Sequence, residues 1–236
     1  LDSGLADIED LSHLPLAERE RTLMQRLNDM VGTPFELVGA PLFRAKLFRF
    51  EHDRHALMFM THHIIWDGWS FDLLYRDLAE TYAAFLEKRE PSLPPLPVSY
   101  GDFSVWHRQW VETEQYARQR EFWRRKLGEA YGPGEGGELD LSRGRARRGT
   151  ASGRGLSQGF HIDKALADRL RSLGLGMDAT LFVVMLTAYF VLLNRVTGRR
   201  DMLIATPVRG RNSAEVEELM GYFTNLLPLR VKIDPD

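Results

Sequence analysis

The sequence predicts an α/β chain folded as two lobes, and three observations carry that prediction. Residues 41–50 and 55–59 read as neighbouring strands joined by a polar connection, Glu51-His52-Asp53-Arg54. Residues 16–31 and 71–88 place apolar side chains at helical spacing. From 128 to 159 the composition turns to glycine and arginine with little apolar periodicity, which marks an exposed crossing. The expected organisation is a first lobe over 1–128, a crossing over 129–159 and a second lobe over 160–236.

In the first helix Leu16, Leu23, Leu27 and Met30 share a face, Pro15 suits its first turn, and Gly32-Thr33-Pro34 ends it. In the strand that follows, Phe43, Ala45 and Leu47 alternate with Arg44 and Lys46. The alternation fails at Phe48-Arg49-Phe50, so a bulge or burial on both faces is expected there. The next strand, 55–59, leads into Thr61-His62-His63-Ile64-Ile65-Trp66-Asp67-Gly68-Trp69-Ser70. Ser70 is expected to open a helix with Asp72 in its first turn, striped by Leu74, Leu78, Tyr82 and Phe85.

The segment 91–97 holds four prolines and reads as a stiff extended connection. A helical stretch over 101–127 carries Phe103, Trp106, Trp110, Phe122 and Trp123, which are expected to pack a core. Gly132 to Gly137 follows no strand and opens no helix, which argues against a nucleotide loop. The arginines at 143, 145, 147 and 148 read as a solvated linker. Further on, Asp163 is expected to cap one helix and Asp178 another that ends at Gly198. A short strand at 202–205, a loop Thr206-Pro207-Val208-Arg209-Gly210-Arg211, a short helix over 215–219 and a strand interrupted at Pro228 complete the reading.

Bulk properties exclude several function classes. A net charge of −2 gives no electrostatic case for nucleic acid or an anionic membrane as partner. The absence of cysteine excludes disulfides, thiolate catalysis and Cys-ligated zinc, and fits a reducing, cytoplasmic setting. Residues 1–10 are acidic without an apolar core, so no signal peptide is read. The apolar run 181–193 falls short of the ~20 residues that cross a bilayer and is expected to be a buried helix.

The candidate chemistry sits at 62–68, where a strand ends and a helix has not begun, a place from which a rigid scaffold aims exposed groups. Side chains of successive residues on an extended backbone point to opposite faces, so His62 and His63 do not share one cavity. If Asp67 belongs to the same turn as His63, then His63 is the active imidazole and His62 is structural. Gly68 is expected to supply a positive φ or a close backbone approach. Trp66 and Trp69 flank the Asp67-Gly68 pair and are expected to wedge the loop.

This stretch resembles the HHxxxDG signature of condensation domains from non-ribosomal peptide synthetases, whose HxxxDG core is shared with the chloramphenicol acetyltransferase-like superfamily. Two further matches follow in the same order. Ser99-Tyr100-Gly101-Asp102-Phe103-Ser104-Val105-Trp106 is similar to the YxDFAVW segment of that family, and Met220-Gly221-Tyr222-Phe223-Thr224-Asn225 to its IGxFVN segment. The loop at 206–211 also resembles one in condensation domains. The resemblance implies a two-lobed chloramphenicol acetyltransferase-like fold, with mixed sheets covered by helices and a tunnel between lobes. A whole member of the family is much longer, and its RHExLR opening is absent here, so the chain is expected to be an internal fragment, incomplete at both ends.

The implied reaction is amide bond formation between a donor acyl or peptidyl thioester and an acceptor aminoacyl thioester. Both are carried on the 4'-phosphopantetheine of peptidyl carrier proteins, with adenylation domains as neighbours and no cofactor bound by the domain itself. The resemblance makes His63 the base or amine-positioning group, supported by His62, Asp67 and Gly68, and places Trp66 and Asn225 at the substrate tunnel, where the Asn225 amide either orients a substrate carbonyl or makes a structural turn bond. Asp67, with a carboxylate pKa poorly matched to an amine, is expected to be a buried partner for an arginine supplied from outside this stretch of chain. Tyr100, Asp102 and Trp106 are expected to fix the first lobe.

Other readings compete. One is an acyltransferase of the same superfamily using a coenzyme A donor, or an epimerisation domain, which shares the doubled histidine. A second is a non-catalytic recruitment module of a synthetase; the intact motif argues against it. A third is a metal hydrolase using His62, His63 and Asp67, opposed by the facing of the adjacent histidines.

Overall fold

A computed structural model of the chain describes residues 8–39, 41–128, 141 and 155–234. The expected crossing at 129–159, including the 132–137 glycine run and the four arginines, lies almost wholly outside the described residues. Two compact units form, Leu1–Gln109 with Val208–Asn225 and Trp110–Pro207 with Leu226–Asp236. These units do not run in chain order. Val208–Asn225 packs with the early part of the chain, and the helix ending at Gly128 groups with the later part.

The first unit holds a three-stranded sheet in the order β1-β2-β3, from β1 (Ile8–Asp10), β2 (Phe43–Arg49) and β3 (His55–Thr61). β1 runs parallel to β2, and β2 and β3 form the expected antiparallel hairpin, with Phe43 opposite Thr61 and Arg49 opposite His55. The register runs unbroken through Phe48, so the bulge does not occur, and burial is one-sided: Phe48 and Phe50 share a buried face while Arg49 between them is exposed. Phe48 and Phe50 are buried against Leu11, Leu23, Leu27 and Met30, the last three from helix α1 (Leu16–Gly32). The opposite face carries Phe43 stacked on Phe59. Arg19 of α1 clasps this core by donating to the carbonyls of Ser12, Leu14 and Phe50 at 2.8 Å each. β1 has no alternating pattern of its own, and nothing in the sequence marks it as a strand.

Helix α2 (Gly68–Glu87) begins two residues before Ser70, because Asp67 is its N-cap. Asp72 therefore lies beyond the first turn. The buried line of α2 is Ser70, Leu73 and Ala84, whereas Leu78, Tyr82 and Phe85 of the expected apolar stripe are exposed. Helix α3 (Tyr100–Trp110) starts on a reciprocal cap, with the Ser99 amide and hydroxyl donating to Asp102 and the Asp102 amide donating to Ser99 Oγ. Phe103 of α3 packs against Val216, Leu219 and Phe223. Trp106 and Phe122 are half exposed, so the expected aromatic core is only partly realised.

In the second unit, α4 (Glu114–Gly128), α5 (Lys164–Gly176) and α6 (Leu181–Thr197) accompany a two-stranded sheet of β4 (Asp201–Val208) and β5 (Asn225–Lys232). Phe190 and Leu193 of α6 bury against Met202, with Ile204, Val231 and Ile233 around them. Arg230 grips Asp201 at 2.6 and 2.9 Å. Asp163 caps α5 as expected, by accepting from Leu166 N. The cap of α6 is Thr180, not Asp178; Thr180 accepts from Val183 N, and Asp178 sits in the preceding turn at φ 51°. Gly198 ends α6 in the left-handed region. The expectation that α6 is buried fails for most of its surface, since Phe182, Val183, Tyr189 and Leu192 are exposed. No single described helix is long and apolar enough to cross a membrane.

Candidate active site

The site is built inside the first unit by the end of β3, the start of α2 and the segment 208–223. β3 stops at Thr61, whose hydroxyl and the following His62 amide both donate to Leu42 O, which closes the hairpin mouth. His62 and His63 follow it directly and turn to different neighbours. The His62 ring packs edge-on against Phe35, with centroids 6.0 Å apart, and its Nδ1 accepts from the Ile64 amide at 3.1 Å. His63 is exposed, and its ring meets Tyr222 edge to face with centroids 5.6 Å apart. His63, Ile64 and Tyr222 line an open cavity of about 360 Å³.

Four residues further on, Asp67 is the opposite kind of residue. Its accessibility is 2%, and five donors converge on its two oxygens. Oδ1 accepts from Ser70 N at 3.0 Å, Ser70 Oγ at 2.8 Å and Arg211 Nη2 at 3.2 Å. Oδ2 accepts from Arg211 Nη1 at 2.7 Å and Phe223 N at 3.0 Å. Burial alone would raise the carboxyl pKa, but the bonds from Arg211, Ser70 and the Phe223 amide prevail and hold it below the ordinary carboxylate value. At neutral pH Asp67 is an anion already fully engaged, with nothing left for a reacting proton.

Ser70 links the two halves of the knot. Its Oγ accepts from Gly221 N at 2.9 Å and Arg211 Nη2 at 3.2 Å, and its single proton is shared between Asp67 Oδ1 and Gly221 O. Arg211 also donates to Leu219 O at 3.0 Å and lies over the Phe223 ring at 4.2 Å. Its Nε has no hydrogen-bond partner among the described residues, nor does Trp66 Nε1. Two glycines make this approach sterically feasible. A Cβ on Gly210, which sits at φ +70°, would lie 1.9 Å from Phe223 O, and one on Gly221 would lie 2.4 Å from the Tyr100 ring.

The structure thus corrects two expectations. The arginine partner of Asp67 is supplied by this chain, as Arg211 of the 206–211 loop, because that loop folds back onto the start of α2. Gly68 has neither a positive φ nor a close neighbour; it is simply the first residue of α2, and its missing side chain faces open space. Trp66 joins an aromatic cluster with Phe59 and Phe71. Trp69 wedges the loop from outside, donating from Nε1 to Glu217 O at 3.0 Å beneath the Arg209 guanidinium. Asn225 opens β5 as an exposed residue, two positions beyond Phe223. Tyr100 bonds Tyr222 O through its hydroxyl at 2.8 Å. No group of histidines and carboxylates able to hold a metal occurs among the described residues.

The sequence profile described as Condensation domain matches residues 5–236, and the chain belongs to the condensation-domain family. Over its whole length it is 37% identical to a stretch of a linear gramicidin synthase from Brevibacillus parabrevis, a stretch that makes up 4% of that protein. To phosphinothricin tripeptide synthetase PhsC of Streptomyces viridochromogenes it is 36% identical, over 96% of this chain and 20% of that protein. Among solved structures, the first condensation domain of the calcium-dependent antibiotic synthetase superposes with a TM-score of 0.71 at 25% identity, covering 97% of this chain and 51% of that one. The X-domain from teicoplanin biosynthesis gives a TM-score of 0.80 at 27% identity, covering 92% of this chain and 48% of that one. The chain therefore spans about half of these solved structures, and the mixed α/β fold expected from the sequence is theirs.

Proposed function

We propose that this chain forms the histidine-bearing part of an acyltransferase domain that joins two carrier-bound thioesters through a peptide bond. The amine of an acceptor aminoacyl thioester attacks the carbonyl carbon of a donor acyl or peptidyl thioester. The C–N bond forms, the C–S bond breaks, the amine gives up a proton, and the donor's pantetheine thiol leaves with one. The reading assigns 4'-phosphopantetheine arms of peptidyl carrier proteins as substrate carriers, with adenylation domains as neighbours in a synthetase and lobe boundaries near 128 and 160.

The single observation that carries this reading is the division of labour in the motif. His63 stands open on a cavity, while Asp67 is buried and saturated by Arg211, Ser70 and Phe223 N. His63 is then the group that takes the amine proton or holds the amine in line. Chemistry of this kind asks little of a base. A thiol leaving group has a pKa near 8.5, and an α-amine titrates at about 8, so much of the amine is already neutral. Holding two tethered reactants together supplies up to about 7–11 kcal/mol, more than the ~10²–10⁴-fold of general-base help. Asn225 and Trp66 are assigned to the path by which the two arms reach His63, and His62 and Gly68 to support of the motif loop.

The test uses the whole domain that contains this chain, mixed with carrier proteins loaded with donor and acceptor. The expected product is the amide-linked chain on the acceptor carrier. Transfer from a coenzyme A donor but not from a carrier-bound one would overturn the assignment.

A further inference from the structure

We infer that Tyr222 is a positioning residue for His63, its ring held in place so that the imidazole presents one fixed orientation to the cavity. The inference rests on the function proposed above and deepens it.

The backbone around Tyr222 is fixed on every side. Gly221 exchanges hydrogen bonds with Ser70 Oγ at 2.9 Å in both directions, Phe223 N donates to Asp67 Oδ2 at 3.0 Å, and the Tyr222 carbonyl accepts from Tyr100 Oη at 2.8 Å. Both anchors, Asp67 and Ser70, sit at the first turn of α2, a few residues from His63. Phe223 turns inward, 6% exposed, against Phe103 and beneath Arg211. Tyr222 turns the other way, 37% exposed, and its ring lines the same cavity as His63. The knot around Asp67 thus fixes the Cα of one particular side chain, and that side chain is the one touching the imidazole.

His63 needs such a neighbour. Among the described residues no side chain hydrogen-bonds its ring, and the Tyr222 edge-to-face contact at 5.6 Å is the ring contact it makes. A histidine acting on an amine must aim one nitrogen, and a base that swings freely about χ1 and χ2 spends little of its time correctly aimed. Aromatic packing restricts that swing without consuming either nitrogen. Tyr222 therefore transmits the rigidity of the buried Asp67–Arg211 pair to the exposed imidazole.

A double-mutant cycle in the whole domain tests this. Tyr222→Phe keeps the ring and is expected to hold kcat within about twofold. Tyr222→Leu, or Tyr222→Met if the leucine variant does not fold, is expected to lower kcat about tenfold with KM for the loaded acceptor carrier little changed. In a His63→Ala background the same change is expected to cost nothing further. A readout independent of turnover is the NMR signature of the His63 ring, which should change for Tyr222→Leu and be preserved for Tyr222→Phe. An equal loss with and without His63, a Phe variant as poor as the Leu variant, or an unaltered His63 signature would each overturn the inference. If His63→Ala leaves turnover intact, the catalytic reading fails instead, while the NMR comparison still decides whether the ring is held.

Discussion

The two ends of the His62–Ser70 stretch are built to opposite specifications. At its far end Asp67 and Ser70 are buried, charged or polar, and satisfied by donors from 140 or more residues away in sequence. At its near end His63 is open, lining a cavity beside the Tyr222 ring that it meets edge to face. The contrast teaches that one short motif holds two separable functions. The carboxylate assembles the loop by bringing 208–223 onto the start of α2, and the imidazole is left free for a reactant. Substitutions at the two ends should accordingly separate into losses of folding and losses of rate.

The largest expected break lies at the buried pair. Arg211→Met leaves the Asp67 carboxylate in the interior without its cation, and removing one partner of a buried pair costs about 3–5 kcal/mol. The measurement is the urea midpoint of the whole domain. A loss under 1 kcal/mol would show that the pair does not hold the fold. Next is Gly210→Ala, which places a Cβ in a left-handed backbone position and against the Phe223 carbonyl; about 3 kcal/mol is expected by the same measurement. Ser70→Ala removes the hydroxyl that donates to Asp67 Oδ1 and leaves the Gly221 amide without its partner, for about 1–3 kcal/mol.

A pH series sharpens the same comparison at smaller scale. Because the Asp67 carboxyl is held below its unfolded value, its contribution is fully present above about pH 4. It fades as pH falls through the depressed folded-state value. Acid unfolding of the native domain followed from pH 5 to pH 2 should be steeper than that of Asp67→Asn, which has no proton to gain. Parallel curves would mean that Asp67 is not the linked group.

Much of this is legible in the sequence, for reasons that can be named. The β2–β3 hairpin and α1 are local patterns, fixed by period and by the stop at Gly32-Thr33-Pro34. The doubled histidine is only partly legible: alternation predicts that the two rings part, but both lie beyond the end of β3, and which ring is open depends on the turn that follows. What the sequence hides is long-range. Nothing local in Thr206–Arg211 announces that Arg211, rather than Arg209, ends buried on Asp67, although a glycine between two arginines is a signal that the backbone must pass close to something. The start of α2 is misplaced when Asp67 is read as chemistry and not as a cap, yet Asp67-x-x-Ser70 has capping spacing. Gly221 and Gly210 carry the steric requirement expected of Gly68. The exposed apolar faces of α2 and α6 run against the pattern because periodicity reports which side chains share a face, not whether anything in the described residues covers it.

The central claim is that His63 acts and Asp67 builds. It is tested most directly by measuring single-turnover condensation and urea stability together for His63→Ala and Asp67→Ala in the whole domain. The account predicts that His63→Ala slows the reaction by about a hundredfold to a few thousandfold with stability within about 0.5 kcal/mol of the parent. It predicts that Asp67→Ala loses several kcal/mol of stability. A stable, well-folded Asp67→Ala with the reaction gone, beside a His63→Ala that turns over normally, would contradict it.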